Sequence, residues 1–142
     1  MPFDDFTIAD FPFTNLIRSS QREGFVYVFF WVRGGIEVPF YVGETDRLFG
    51  RMNDYRLANF AACTDFCVGE AVKYLTTIKN CKVVVKYRAS TDRNKEEKAI
   101  IRRLLVSGIR LLNCLPRYDY KNDIETEERE VIQRFCDMLT QT

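Results

Sequence analysis

The sequence predicts an α+β protein, a mixed α/β sandwich in which a small three-stranded antiparallel sheet is flanked by helices. Three observations predict it. Two β-branched and aromatic runs, FVYVFFWV at 25–32 and VPFYVG at 38–43, sit either side of Arg33-Gly34-Gly35, which reads as a hairpin turn. A third such run, KVVVKYRA, follows at 82–89. Between and after these strands, apolar residues recur at helical spacing.

Taken in order, residues 1–23 mix aromatic residues with Asp, Pro, Thr and Ser and read as an arm packed on the domain. The first strand is too uniformly apolar to face water on either side. Pro39 in the second belongs near a strand start or at a sheet edge, where its missing N–H is tolerated. Residues 46–59 read as a helix that Thr45 or Asp46 caps, with Leu48, Met52 and Tyr55 on one face. Gly50 inside it costs about 1 kcal/mol in propensity and suggests close packing. A shorter helix is expected over 65–78. Asp92 is placed to cap a helix over 93–106, with Ile100, Ile101, Leu104 and Leu105 as its apolar stripe and Gly108 beyond its end. Leu111 and Leu112 suggest a short buried element. After Pro116, Val131, Ile132, Phe135, Met138 and Leu139 mark a last amphipathic helix over 127–139.

At 142 residues the chain suits one domain with a core of its own, and 46% hydrophobic with 14% aromatic content excludes a disordered chain. Residues 1–142 are expected to form that one domain, with the arm over 1–23 and a turn and helix over 115–142. No apolar run approaches the roughly 18 residues that span a bilayer. The acidic start, MPFDDFTIADFPF, reads as no export signal, so an intracellular, cytoplasmic location is expected, with nucleoid or nuclear association open. Five cysteines fit reduced thiols there, and nothing completes the Cys63/Cys67 pair into a usual zinc site.

The chain has no histidine, which excludes imidazole zinc ligation, Ser-His-Asp and Cys-His arrangements and a histidine base. Its net charge is +1, but the sum hides a pattern. Residues 1–46 carry 3 basic and 7 acidic residues, residues 47–121 carry 16 and 7, and residues 122–142 carry 2 and 6. A basic body between acidic ends would suit a polyanion if the fold gathers its cations on one face.

Glu97 shares its helix stripe with Ile101 and Leu104, and a carboxylate facing the interior is costly unless it is paired or holds a metal. Tyr27 stands on the first strand, Tyr41-Val42-Gly43 on the second, and Arg51 and Tyr55 one turn apart on the following helix. With Glu97 and Leu112-Asn113, in that order and spacing, they make residues 24–114 resemble the GIY-YIG nuclease domain. The first motif here is Phe25-Val26-Tyr27, with Gly24 one position early, and Tyr55 stands where many members carry histidine.

The resemblance implies a divalent-metal-dependent DNA endonuclease using a single Mg²⁺ or Mn²⁺ on Glu97. It implies Tyr27 as general base or water positioner and Arg51 on the phosphate. Tyr41 and Tyr55 orient water, base or phosphate, and Asn113 completes the set. Lys82, Lys86, Arg88, Arg93, Lys95, Lys98, Arg102, Arg103 and Arg110 are then candidate phosphate contacts. Double-stranded or branched DNA is the expected partner, with a second copy or a targeting protein as further partners.

Taken singly, each residue also has an ordinary structural reading. The tyrosines fit core positions, Arg51 a surface ion pair, Glu97 a partner for Arg51 or Arg102, and Asn113 a turn cap. A non-catalytic nucleic-acid-binding module on the same scaffold is the alternative function.

Overall fold

The computed structural model describes residues 3–13, 23–57, 63–114 and 125–141. The strands are β1 (Thr7–Asp10), β2 (Phe25–Arg33), β3 (Ile36–Thr45) and β4 (Lys82–Ala89). The helices are α1 (Leu48–Leu57), α2 (Cys63–Thr77), α3 (Arg93–Val106) and α4 (Glu125–Leu139), with a 3₁₀ turn at Leu112–Cys114. The protein is therefore α+β as its sequence predicts, but the sheet has four strands, in the order β1-β4-β2-β3. All neighbours are antiparallel.

The fourth strand comes from the expected arm. Thr7–Asp10 pairs with Tyr87–Val84, closing the exposed flank of β4. Its four residues carry almost no pattern, because only Ala9 turns into the core. Residues 14–22 and 115–124, including Pro116, lie outside the described residues.

β2 is the central strand, and its alternation divides the core. Val26, Val28 and Phe30 face α3, where they meet Val84, Ile100, Leu104 and Leu111. Tyr27, Phe29 and Trp31 face the opposite layer, built from α1, α2 and α4. A run apolar on both faces is what a sheet covered on both sides requires. β2 and β3 join through Gly34 and Gly35, with φ of 60° and 80°, a left-handed pair suited to a tight hairpin. β3 is an edge strand, which accommodates Pro39. The register slips between Phe29, opposite Tyr41, and Phe30, opposite Pro39. Phe40 is the extra residue, and this bulge lets Phe40 and Tyr41 both join the α1–α2 core.

The helices depart from the sequence reading in detail. Thr45 Oγ1 accepts the Arg47 backbone N–H at 3.1 Å, so it closes the turn into α1 and does not cap the helix directly. Asp92 sits at the α3 N-cap position without a side-chain capping bond. The atoms nearest a Cβ built at Gly50 belong to the Arg47 side chain, so the close contact there is with a flexible arginine and not with backbone. Leu105 and Met138, assigned to apolar stripes, are 42% and 44% exposed. Glu128, on the α4 face shared with Ile132 and Cys136, is buried instead. Among the described residues, no helix is long and apolar enough to cross a membrane.

Leu75→Ala, at a fully buried α2 position, is expected to cost about 2–5 kcal/mol, whereas Leu105→Ala on the α3 stripe should stay within about 0.5 kcal/mol of wild type. Urea unfolding of the two variants checks this division of the core.

Candidate active site

Tyr27 faces Gly43 across the β2–β3 ladder. A Cβ at position 43 would collide with the ring and hydroxyl of Tyr27, so only glycine lets this ring lie flat across β3. The Tyr27 hydroxyl thereby reaches the Tyr55 hydroxyl, at 2.5 Å. The Tyr55 oxygen also accepts the Arg51 Nε–H at 3.1 Å, and the Arg51 guanidinium lies 5.0 Å from the Tyr55 ring centroid. The Tyr41 ring packs into the same cluster, 6.5 Å from Tyr27 and 6.2 Å from Tyr55. Tyr55 thus links Arg51 to Tyr27, and either tyrosine hydroxyl can be the donor between the two. Four of the six residues singled out in the sequence form one connected cluster.

Burial sets the protonation of this cluster. Tyr27 and Tyr55 are each 1% exposed. Desolvation raises the Tyr27 hydroxyl far above the ordinary phenol range, and Tyr41 adds to the effect. The Tyr55 bond and the Arg51 charge oppose it without reversing it. Tyr55 is raised in the same way, by burial and then by Tyr27. Both hydroxyls are neutral hydrogen-bonding groups at ordinary pH.

Asn113 acts on the backbone. Its Oδ1 accepts the Val42 N–H at 2.9 Å, and its Nδ2 donates to the Val42 carbonyl at 2.7 Å. The amide thus substitutes for a neighbouring strand at the outer edge of β3, one residue from both Tyr41 and Gly43. It holds the strand that carries the site and does not cap a turn.

Glu97 lies on α3, against the other face of the sheet. Its carboxyl is raised above the usual carboxylate range, first by burial and then by the charge of Glu44, with Lys98 opposing. Glu44 follows Gly43 on β3 and pairs with Arg93. The tyrosine–arginine cluster and the Glu44/Glu97 pair therefore flank one edge strand at adjacent residues. Two carboxylates in a shared, partly desolvated field suit a hard divalent cation. Among the described residues, no group of three or more His, Cys, Asp or Glu converges as a metal cage, so a metal here would rest on Glu97 with few protein ligands. Cys67, Cys81 and Cys136 are buried and in no disulfide, and burial pushes Cys136 up to about 12, unlike a metal-binding thiolate. The Cys63 side chain lies outside the described residues.

The candidate phosphate contacts divide sharply. Lys82 pairs with Asp10, Lys86 with Glu37, Arg88 with Asp5 and Glu96, and Arg93 with Glu44. The acidic first third of the chain folds onto the basic body and neutralises it there. Lys95, Lys98, Arg102, Arg103 and Arg110 are exposed, the first three at helical spacing along α3. A cleft of about 530 Å³ opens beside the start of α3, lined by Gly24, Ser90, Arg93 and Glu96 among others, and the tyrosines do not line it.

No family model, curated protein or solved structure matches this chain.

Gly43→Ala is expected to cost about 1–3 kcal/mol by overpacking against Tyr27, read by denaturant unfolding. Glu97 yields a signed pH prediction. A carboxyl raised in the fold favours the native state while protonated and loses that advantage as pH climbs from the unfolded carboxylate range through the higher folded value. Glu97→Gln should therefore melt above wild type at neutral pH, and the gap should close on acidification. A lower melting temperature for Glu97→Gln at neutral pH would mark Glu97 as an ordinary ion-pair partner.

Proposed function

We propose that the protein is a divalent-metal-dependent DNA endonuclease of the GIY-YIG type, hydrolysing phosphodiester bonds with one Mg²⁺ or Mn²⁺ on Glu97. The observation that carries this reading is the Tyr27–Tyr55–Arg51 chain, built under Gly43 and one residue along β3 from Glu44, which shares its field with Glu97. A packing cluster alone does not require an arginine fixed through Nε on a buried hydroxyl.

In this reading Arg51 grips a phosphate oxygen, as the guanidinium geometry suits, and opposes the negative charge that develops there. Anchoring on the Tyr55 ring and hydroxyl limits its swing, which lowers the entropy lost on gripping phosphate. Tyr27, held by its bond to Tyr55, acts as a neutral hydroxyl that positions water or a phosphate oxygen. The alternative of Tyr27 as general base is opposed by its burial, which holds the phenol neutral. Tyr41 fixes Tyr55, and Asn113 fixes the strand that bears Tyr41 and Gly43. The metal ion would supply positive charge at the scissile phosphate. The exposed face of α3, with Lys95, Lys98 and Arg102, is assigned to backbone phosphates, which would bind duplex or branched DNA without sequence readout.

One observation favours a second reading, the non-catalytic nucleic-acid-binding module. The two hydroxyls closest to the proposed chemistry are almost fully enclosed. Cleavage of supercoiled and branched DNA in Mg²⁺ or Mn²⁺ separates the two. Nicking by wild type is expected, with Arg51→Ala slower by about 10²–10³ and Glu97→Ala losing the response to metal. Salt-sensitive binding without turnover by folded wild type would favour the module.

A further inference from the structure

Residues Phe3–Phe6 fold back over the groove between β4 and α3. The Phe6 N–H donates to the Phe3 carbonyl at 3.1 Å. The Phe3 ring stands edge-on to Phe6 and to Phe30, with centroids 5.2 Å and 5.4 Å away. Two arginines lie against this aromatic pad: the Arg88 guanidinium is 4.7 Å from the Phe6 centroid, and that of Arg103 is 5.9 Å from Phe3. Arg88 gives one arm to each of two carboxylates, Nη1 to Asp5 at 2.7 Å and Nη2 to Glu96 at 3.1 Å. Beside them is a pocket of about 210 Å³ lined by Arg88, Glu96, Ala99, Ile100 and Arg103.

The Asp5 carboxylate does little to hold this segment down. Asp5 is 62% exposed and Arg88 36%, and solvent screening leaves ion pairs so exposed little effect on stability. Phe6, buried among Val26, Val28 and Val84, and the pairing of β1 with β4 anchor the chain without it. Asp5 is thus a displaceable anion on a guanidinium already oriented by stacking. The guanidinium fork accepts carboxylate and phosphate in the same geometry. Arg88 and Arg103 also adjoin the cationic face of α3, where a docked backbone would place its next phosphates.

We propose that Asp5 is a built-in phosphate mimic, which occupies Arg88 in the free protein and yields it to a backbone phosphate of duplex DNA. Phe6 stays in the core while the carboxylate swings out, so the exchange needs no unfolding of β1. The contact is autoinhibitory: each binding event must first displace Asp5, which weakens affinity for non-cognate polyanions. The proposal rests on the nucleic-acid reading above, though not on catalysis.

Fluorescence anisotropy with a short labelled DNA duplex, in metal-free buffer across a salt series, tests it. Asp5→Asn should bind about 3–10-fold tighter than wild type at low salt, with a salt slope steeper by about 0.9, one phosphate's share. Asp137→Asn removes the same charge from α4, across the sheet, and should gain far less because Asp137 pairs with Lys79 and Tyr74 and its loss frees no group on the α3 face. Arg88→Gln in the Asp5→Asn background should erase the gain. Asp5→Asn binding no tighter than Asp137→Asn, a gain that survives Arg88→Gln, or no duplex binding by any variant would each overturn the proposal. Absence of cleavage with these binding results intact would count against the nuclease reading alone.

Discussion

A missing Cβ at Gly43 is the constraint on which the candidate site depends. The β2–β3 ladder sets Tyr27 opposite this residue, and the vacant volume lets the tyrosine ring cross the strand. From there its hydroxyl meets Tyr55, which in turn fixes Arg51. The bulge at Phe40 brings Tyr41 to the same face, and Asn113 clamps the backbone of Val42 between them. Each later contact presupposes the earlier one. A side chain at position 43 would move the ring, break the hydroxyl chain and release the arginine, while leaving most of the remaining core in place.

A second constraint is electrostatic. Four ion pairs join the acidic first third of the chain to β4 and the start of α3. They convert a basic segment into a locally balanced surface and leave Lys95, Lys98 and Arg102 exposed along α3. Individually such pairs are weak, so their main effect is on what the surface presents to a polyanion. A polyanion would therefore meet a row of exposed cations on α3 beside a largely neutralised β4.

The fold was legible where one physical signal dominated. β4 and α3 begin and end where their sequence patterns do, because apolar runs and helical stripes are local properties. β1 was not legible, since the four residues of Thr7–Asp10 become a strand only through pairing with β4, far along the chain. Leu105 and Met138 look like core residues by spacing alone, and the packing layer does not extend far enough around either helix to cover them. Glu128 shows the reverse, a charged residue carried inward by the position of α4 against α2.

The site was legible as a set of residues but not as roles. Order and spacing singled out Tyr27, Tyr41, Arg51 and Tyr55, which the fold gathers. The depth of Tyr27 was invisible, and it is burial that keeps the hydroxyl neutral. Nor could spacing show that Asn113 would spend both amide atoms on the backbone, or that nearly half the candidate phosphate contacts would meet internal carboxylates. The central proposal is that Glu97, on the α3 face of the sheet, holds a metal ion across edge strand β3 from the tyrosine–arginine chain. A Mn²⁺-soaked crystal measured at the manganese absorption edge tests it most directly. The account predicts one anomalous peak within about 2.0–2.3 Å of a Glu97 carboxylate oxygen, on the β3 edge that Arg51 borders. A well-ordered Glu97 without a peak, or a peak on carboxylates elsewhere, would contradict it.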